Sequence, residues 1–371
     1  MHLYETRLRA VVPFRPPGPV VRLYTCGITP YDATHIGHAA TFVAYDVLQR
    51  RLRDLGYDTQ CVRNVTDVDD DILERAGSLG VHYLDLAAAA LQTFEQDMTA
   101  LDLLPAHSEP RATSAMSEIR SLIGRVLESG HAYQAGGAVL FAVDTAPRFG
   151  SLSGLSREEM LGLVDAARDD GLAGVRRHPL DFVLWQPSKP GEPEWSSPWG
   201  PGRPGWHVEC SALALRELGA GIDLHGGGSD LVFPHHECEL AQAEAATGDD
   251  FVRHWMHSGT VHQGGQKMSK SLGNLTFVSD LRERWDPMVI RLAIVAAHYR
   301  SDWSWSTSLL ESSVVRLSAW RLAGRGDDAL AEVRSALDDD LDTPAAVAAI
   351  DAAVARGGRV SEAAGLLGIS W

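Results

Sequence analysis

Residues 20–65 constrain the fold of this chain more than any other stretch. VVRLYTC (20–26) is rich in β-branched and aromatic residues and runs into Gly27, the pattern of a strand. The turn ITPYDAT follows. An amphipathic helix then runs from about Ile36 to Leu55 and closes at Gly56, and DTQCVRNV (58–65) reads as a second strand. Strand, helix and strand in that order form a βαβ unit, which belongs in a parallel sheet. Ligands of such sheets bind beyond the carboxyl ends of the strands. The residues to examine are therefore those at strand ends and helix starts.

The pattern continues to the end of the chain. Residues 80–130 read as helical and 138–144 as a strand, inside an insertion that reaches about residue 205. Six of the 18 prolines fall between Pro187 and Pro204, in a long stiff loop. A strand over 221–225 leads to Gly226-Gly227-Gly228, a helix over about 235–246 follows, and strands are expected near 253–257 and 260–262. From about Asp286 the chain is helical. The expected division is a catalytic domain over 1–300, with its insertion at roughly 80–205, and a helical domain over 301–371.

Composition excludes some classes. With 45% hydrophobic and 22% charged residues the chain is globular rather than disordered. No apolar run is long enough to cross a membrane, and residues 1–14 lack the pattern of a signal peptide. The four cysteines, Cys26, Cys61, Cys210 and Cys238, show no CxxC spacing, which fits a reduced, cytoplasmic setting. The net charge of −16 disfavours non-specific grip on nucleic acid.

Three constellations carry chemistry. The first is His35-Ile36-Gly37-His38 at a helix start, where free N–H groups attract anions and two imidazoles one turn apart can donate to phosphate. Two surface histidines are the bland reading. The second is Lys267-Met268-Ser269-Lys270-Ser271. Only three of the 33 basic residues are lysine (Lys189, Lys267 and Lys270), so a surface loop needing only charge would carry arginine here, as the rest of the chain does. Two ammonium groups on a mobile loop suit the charge that builds as pyrophosphate departs. The third is Cys26, Cys210, His235 and Glu239, each at a strand end or helix start, with the last two on one helix face. Two thiolates, an imidazole and a carboxylate make a plausible zinc set, though each residue alone is more often a core or capping residue. The run Asp67, Asp69, Asp70, Asp71 reads as an acidic helix start rather than a magnesium site. Cys61 reads as core, and Cys238 as pointing away from the metal set.

The first two motifs together resemble the HIGH and KMSKS signatures of the class I aminoacyl-tRNA synthetases. With CGITPYDATHIGHAAT (26–41), NVTDVDD (64–70), GEPEWSSPWGPGRPGWHVECSA (191–212) and GGGSDLVFPHHE (226–237), the chain resembles the cysteinyl-tRNA synthetases and their relatives, the mycothiol-pathway cysteine ligases. That resemblance implies an α/β fold: a Rossmann-like (HUP) parallel sheet with an inserted subdomain and a C-terminal helical bundle. It implies catalytic roles for His35, His38, Lys267 and Lys270. It implies one zinc per chain on Cys26, Cys210 and His235, with Glu239 as a ligand or close support. It places cysteinyl-adenylate among Cys26, Gly27, Ile28, Thr29, Thr41, Asn64, Val65, Thr66, Trp206, Gly228, Ser229, Asp230 and Val261. Asp230 would pair with the substrate ammonium and Trp206 would wall the pocket.

The implied substrates are L-cysteine and ATP, with magnesium expected, in a monomeric enzyme with no membrane partner. The opening CGITPYDATHIGHA, the segment HYRSDWSW (298–305) and a chain that stops before an anticodon-binding region favour glucosaminyl-inositol as acceptor. His225, Glu239 and PLDFVLW (179–185) resemble the tRNA enzymes, so cysteine–tRNA ligase is the alternative. The ligases' ERGGDP element would fall near residues 167–172, where this chain reads Ala-Arg-Asp-Asp-Gly-Leu.

Overall fold

A computed structural model describes residues 1–165, 172, 174–268 and 272–371. The chain opens with an antiparallel hairpin, β1 (His2–Glu5) and β2 (Ala10–Pro13). The βαβ unit follows as β3 (Val20–Ile28), α1 (Ile36–Asp54) and β4 (Asp58–Val65), with the two strands parallel. α2 (Asp70–Leu79) precedes the stretch read as helical, which holds α3 (Tyr83–Ala100) and α4 (Met116–Glu128). The insertion builds its own antiparallel sheet from β5 (Ala132–Ala135), β6 (Ala138–Phe141), β7 (Phe182–Gln186) and β8 (Arg203–Pro204), with α5 (Arg157–Asp165) between β6 and β7. The chain returns through α6 (Trp206–Leu218), β9 (Leu224–Gly228), α7 (Glu237–Thr247) and β10 (Trp255–Ser258). A small sheet joins β11 (Val261–Gln263), β12 (Gln266–Lys267) and, after α8 (Val278–Arg282) and α9 (Pro287–Val295), β13 (Trp303–Ser304). Four helices end the chain: α10 (Thr307–Ala323), α11 (Leu330–Asp338), α12 (Thr343–Ala355) and α13 (Ser361–Leu366). No described helix is long and apolar enough to cross a membrane.

The central sheet runs β10–β9–β3–β4, all parallel. The chain enters at β3, lays β4 on one side and later β9 on the other. The order therefore reverses at β3, and a crevice opens beyond its carboxyl end. One face of the sheet packs against α1, α9 and the C-terminal helices in a continuous core holding Leu23, Leu48, Leu224, Ile290 and Ile350. Fully burying each such side chain contributes about 1.5–3 kcal/mol. The other face, with Tyr24, Cys26 and Val62, packs against Cys210 and Ala214 of α6 and Leu240 of α7. Buried Arg291 of α9 pairs with Asp46 of α1 and donates to the carbonyls of Leu101 and Leu367, both at 2.8 Å. That single guanidinium ties the last helix to the sheet's helical cover.

Helix starts follow their local chemistry. α1 is capped by the His35 ring, which accepts from the His38 N–H at 3.3 Å. α2 is capped by Asp69, which accepts from the Ile72 N–H at 2.9 Å, with Asp70 and Asp71 in its first turn facing the positive end of the dipole. Asp67 behaves differently: it is buried and accepts from the N–H and hydroxyl of Thr113 at 2.9 and 2.6 Å.

Several boundaries depart from the sequence reading. The strand expected over 221–225 is Leu224–Gly228 and includes the three glycines. Glycine normally weakens a strand, but here a Cβ at Gly226 would overlap the Tyr45 hydroxyl and the Met256 carbonyl. Tyr45 uses that space to donate to the Met256 carbonyl at 2.6 Å, which locks α1 onto β9 and β10. The strand expected over 138–144 stops at Phe141. The helix expected from residue 235 starts as a wide π-turn over Val232–His236 before α7 begins.

Candidate active site at the carboxyl edge of the parallel sheet

The crevice gathers residues from all four central strands. β3 contributes Cys26, Gly27 and Ile28, with Thr29 just beyond, and β4 contributes Asn64 and Val65, with Thr66 following. The β3–β4 register breaks between Thr25 and Ile28. The freed Gly27 N–H donates to the Asn64 side chain at 2.8 Å, whose amide donates to Thr66 at 3.1 Å. A Cβ at Gly27 would strike the Asn64 carbonyl, so the two strand ends meet this closely only through glycine. Thr29 donates to Asp69 at 3.1 Å. From the other side, Gly228, Ser229 and Asp230 leave β9, Val261 starts β11, and Thr41 of α1 bonds Ser258 at the end of β10 at 2.7 Å.

Cys26, Cys210, His235 and Glu239 come together beneath this crevice. All four are buried, and their donor atoms lie within 4.8 Å of one another. Glu239 Oε1 lies 3.0 Å from His235 Nε2 and accepts from Cys26 Sγ at 3.3 Å. Trp206, 38% exposed, stacks on His235 at 3.9 Å and roofs the cluster toward the opening. Burial holds the Cys26 thiol well above its ordinary value. The Cys210 thiol is drawn down to about 7 by its hydrogen bond with Cys26, against burial and with help from His235. Burial opposes charge on His235, yet Glu239 and Cys210 raise it to about 10.

The donor set fits a metal ion. Two sulfurs, an imidazole nitrogen and a carboxylate oxygen at this spacing suit a tetrahedral soft-donor site. His235 Nε2 is buried and faces Glu239 Oε1 and the two sulfurs, while its Nδ1 lies 2.8 Å from His207. Holding the second ring nitrogen is how a ligand histidine is oriented. A second grouping, Cys26, His225, His236 and Glu239, has the same compactness. Its imidazoles reach the same Cys26 and Glu239 from the other side: His225 Nε2 lies 3.1 Å from Glu239 Oε2, and His236 Nε2 lies 3.2 Å from Cys26 Sγ, with the His236 Nδ1 2.7 Å from His257.

The opposite end of the crevice is open. The His35 and His38 rings stack at 3.7 Å over the start of α1. Because His35 Nδ1 accepts from a backbone N–H, its proton sits on Nε2. Burial first, and Lys267 next, lower His35 to about 4 against the pull of Asp230 and Asp32, so it is neutral at pH 7. Lys267 donates to Asp230 at 3.0 Å, with both side chains at least half exposed. Lys270 lies outside the described residues, as does nearly all of 167–172.

Cys61 is buried in β4, and Cys238 sits in the core under the insertion, away from the cluster. Sequence reasoning missed the relay Thr6–His257–His236–Cys26, whose first link is 2.7 Å. The doublet His235-His236 at a helix start was the available signal. It also missed Glu209 beside Cys210, fully buried with both oxygens unpartnered; burial, then Asp69, raises its carboxyl well above the usual range. No residue pattern flags a buried orphan carboxyl of this kind.

The family described as "tRNA synthetases class I (C) catalytic domain" matches residues 16–315. The L-cysteine:1D-myo-inositol 2-amino-2-deoxy-alpha-D-glucopyranoside ligase of Thermobispora bispora is 48% identical, covering 99% of this chain and 93% of that protein. The ligases of the same name from Streptosporangium roseum and Mycobacterium ulcerans are 46% and 48% identical, each over 95% of this chain and 88% of its own length. Among solved structures, Mycobacterium tuberculosis methionyl-tRNA synthetase with methionyl-adenylate aligns with a TM-score of 0.67 at 17% identity, covering 90% of this chain and 82% of that one. A putative arginyl-tRNA synthetase from Campylobacter jejuni aligns at 0.61 and 13%, covering 94% and 93%. These two likenesses establish the class I synthetase fold.

Proposed function

Because the chain belongs to the class I tRNA synthetase (C) family, as a ligase of its cysteine:glucosaminyl-inositol branch, we propose that it activates L-cysteine with ATP and transfers the cysteinyl group to the amine of glucosaminyl-inositol. The observation that carries this reading is the buried Cys26–Cys210–His235–Glu239 cluster at the floor of a crevice whose rim holds His35 and Lys267.

In the first step a cysteine carboxylate oxygen attacks the α-phosphorus of ATP. The bond to the bridging oxygen breaks, and pyrophosphate leaves with the electron pair. His35 donates from Nε2 to a phosphate oxygen, with its other nitrogen held by the His38 N–H. Lys267, with Lys270, neutralises the charge gathering on pyrophosphate. Asp230 receives the substrate ammonium, and that exchange releases Lys267 toward the phosphates. Trp206 covers the side chain of the bound cysteine. A zinc ion held by the four-residue cluster would supply a soft Lewis acid that prefers a thiolate to the hydroxyl of serine.

In the second step the acceptor nitrogen attacks the adenylate carbonyl carbon. The carbonyl–oxygen bond to AMP breaks, AMP leaves with the pair, and the surplus proton on nitrogen passes to solvent. A hydroxyl-accepting cysteine–tRNA ligase is the second reading, favoured by Glu239 in the cluster. An acceptor competition separates them: protein, ATP and cysteine are offered glucosaminyl-inositol or cysteine tRNA. Amide formed on the amino sugar is expected, and cysteine appearing only on tRNA overturns the proposal.

A further inference from the structure

We propose that a cavity beyond the outer strand β4 is the subsite for the inositol ring of the acceptor. This rests on the ligase reading above and adds where the acceptor binds. The cavity measures about 160 Å³ and lies between the carboxyl end of β4 and α3, with Arg63, Asn64, Phe94, Glu95, Glu109 and Arg111 among its walls.

Position argues first. The nucleotide-side residues Gly228, Val261 and Lys267 stand over β9 and β10, on one side of β3. The adenylate carbonyl must lie over β3, between that side and the cysteine cluster. Ile28, Asn64 and Val65, which the resemblance assigns to the adenylate pocket, also line the cavity, so an acceptor seated there adjoins the adenylate along β4. The segment 107–111 runs along β4 through His107 N–H to Cys61 at 2.8 Å, Arg63 N–H to Ser108 at 3.0 Å and Val65 N–H to Pro110 at 2.9 Å, which sets Glu109 and Arg111 on the rim.

Chemistry argues next. Arg63 is fixed over the rings of Phe94 and Phe42, at 4.9 and 5.2 Å, and is paired with Glu109. Glu95 and Arg111 are exposed and make no ion pair among the described residues. Two carboxylates and two guanidiniums around an apolar floor do not select an anion or a metal. They match a ring of neighbouring hydroxyls, each of which both donates and accepts. The amine-bearing ring then lies toward Asn64 and the reacting carbonyl, and the distal inositol ring fills the cavity.

The test uses Arg111→Ala and Glu95→Gln, both at exposed positions. Cysteine-dependent ATP–pyrophosphate exchange and the KM values for cysteine and ATP are expected to match the unmodified protein. The KM for glucosaminyl-inositol is expected to rise about tenfold with kcat little changed. Free myo-inositol is expected to compete with the acceptor in the unmodified protein and to lose that inhibition in both variants. Unchanged acceptor KM and unchanged inositol inhibition overturn the subsite while leaving the ligase reading intact. Failure of the unmodified protein to transfer cysteine to the amino sugar overturns the reading, and the subsite with it.

Discussion

The two ends of the crevice are built on opposite principles. At the cysteine end, Cys26, Cys210, His235 and Glu239 are each no more than 6% exposed, and every side chain is already held by another. At the phosphate end, Lys267 and Asp230 are 50% and 57% exposed and hold one another in water. A dry, preassembled cluster can discriminate sulfur from oxygen because its cost of rearrangement is high. A wet pair is worth about 0–1 kcal/mol and separates readily, which suits groups that must follow a departing pyrophosphate. In the proposed reaction, selection falls to the buried cluster and charge neutralisation to the exposed pair.

The largest effect should come from the dry end. Cys210→Ala is expected to abolish bound zinc, from about one per chain, and cysteine-dependent exchange together; full metal content in the variant would break the comparison at its buried pole. Lys267→Ala comes next. Loss of a charge-stabilising donor should slow exchange about 10²–10³-fold, while zinc content and melting temperature stay within error. A large drop in melting temperature would show that the Lys267–Asp230 pair is structural. Glu239→Gln should be milder, weakening zinc about 10–100-fold, as read by chelator competition. Unchanged affinity would remove the carboxylate from the metal site.

Much of this was legible because it rests on local periodicity. The βαβ opening, α1 and the bounds of β4 follow from patterns that a strand or helix imposes on its own residues. The four cluster residues were legible as a set because strand ends in a parallel sheet converge, although 239 − 26 = 213 positions separate the first from the last. What escaped depends on contacts between distant elements. β9 carries glycine at 226 because the Tyr45 hydroxyl of α1 and the Met256 carbonyl fill the space a side chain would need. The π-turn before α7 buries both His235 and His236, an arrangement that no helical period reports. The acceptor-side cavity arises where segment 107–111 meets β4, and single-sequence patterns do not record that pairing.

The smallest expected effect probes whether the phosphate end is wet throughout. His35 caps α1 and is partly covered, and burial lowers it to about 4 although Asp230 and Asp32 favour its charge and only Lys267 opposes it. In the unfolded chain its value is about 6.5. Between these two values the unfolded chain binds a proton that the folded chain refuses, so stability falls as pH drops through this window. Partial exposure limits the effect to on the order of 1–2 kcal/mol. Asparagine caps a helix as well as any residue, so His35→Asn should fold normally at pH 7 and remove this share of the acid loss. Urea midpoints at pH 7 and pH 4.5 for both proteins measure the difference. A smaller acid loss in the variant means that the floor of the phosphate end is dry and only Lys267 and Asp230 above it are wet, which moves the boundary between the two regimes to the first turn of α1. Parallel losses mean that His35 is solvated, and the whole rim then belongs to the wet end.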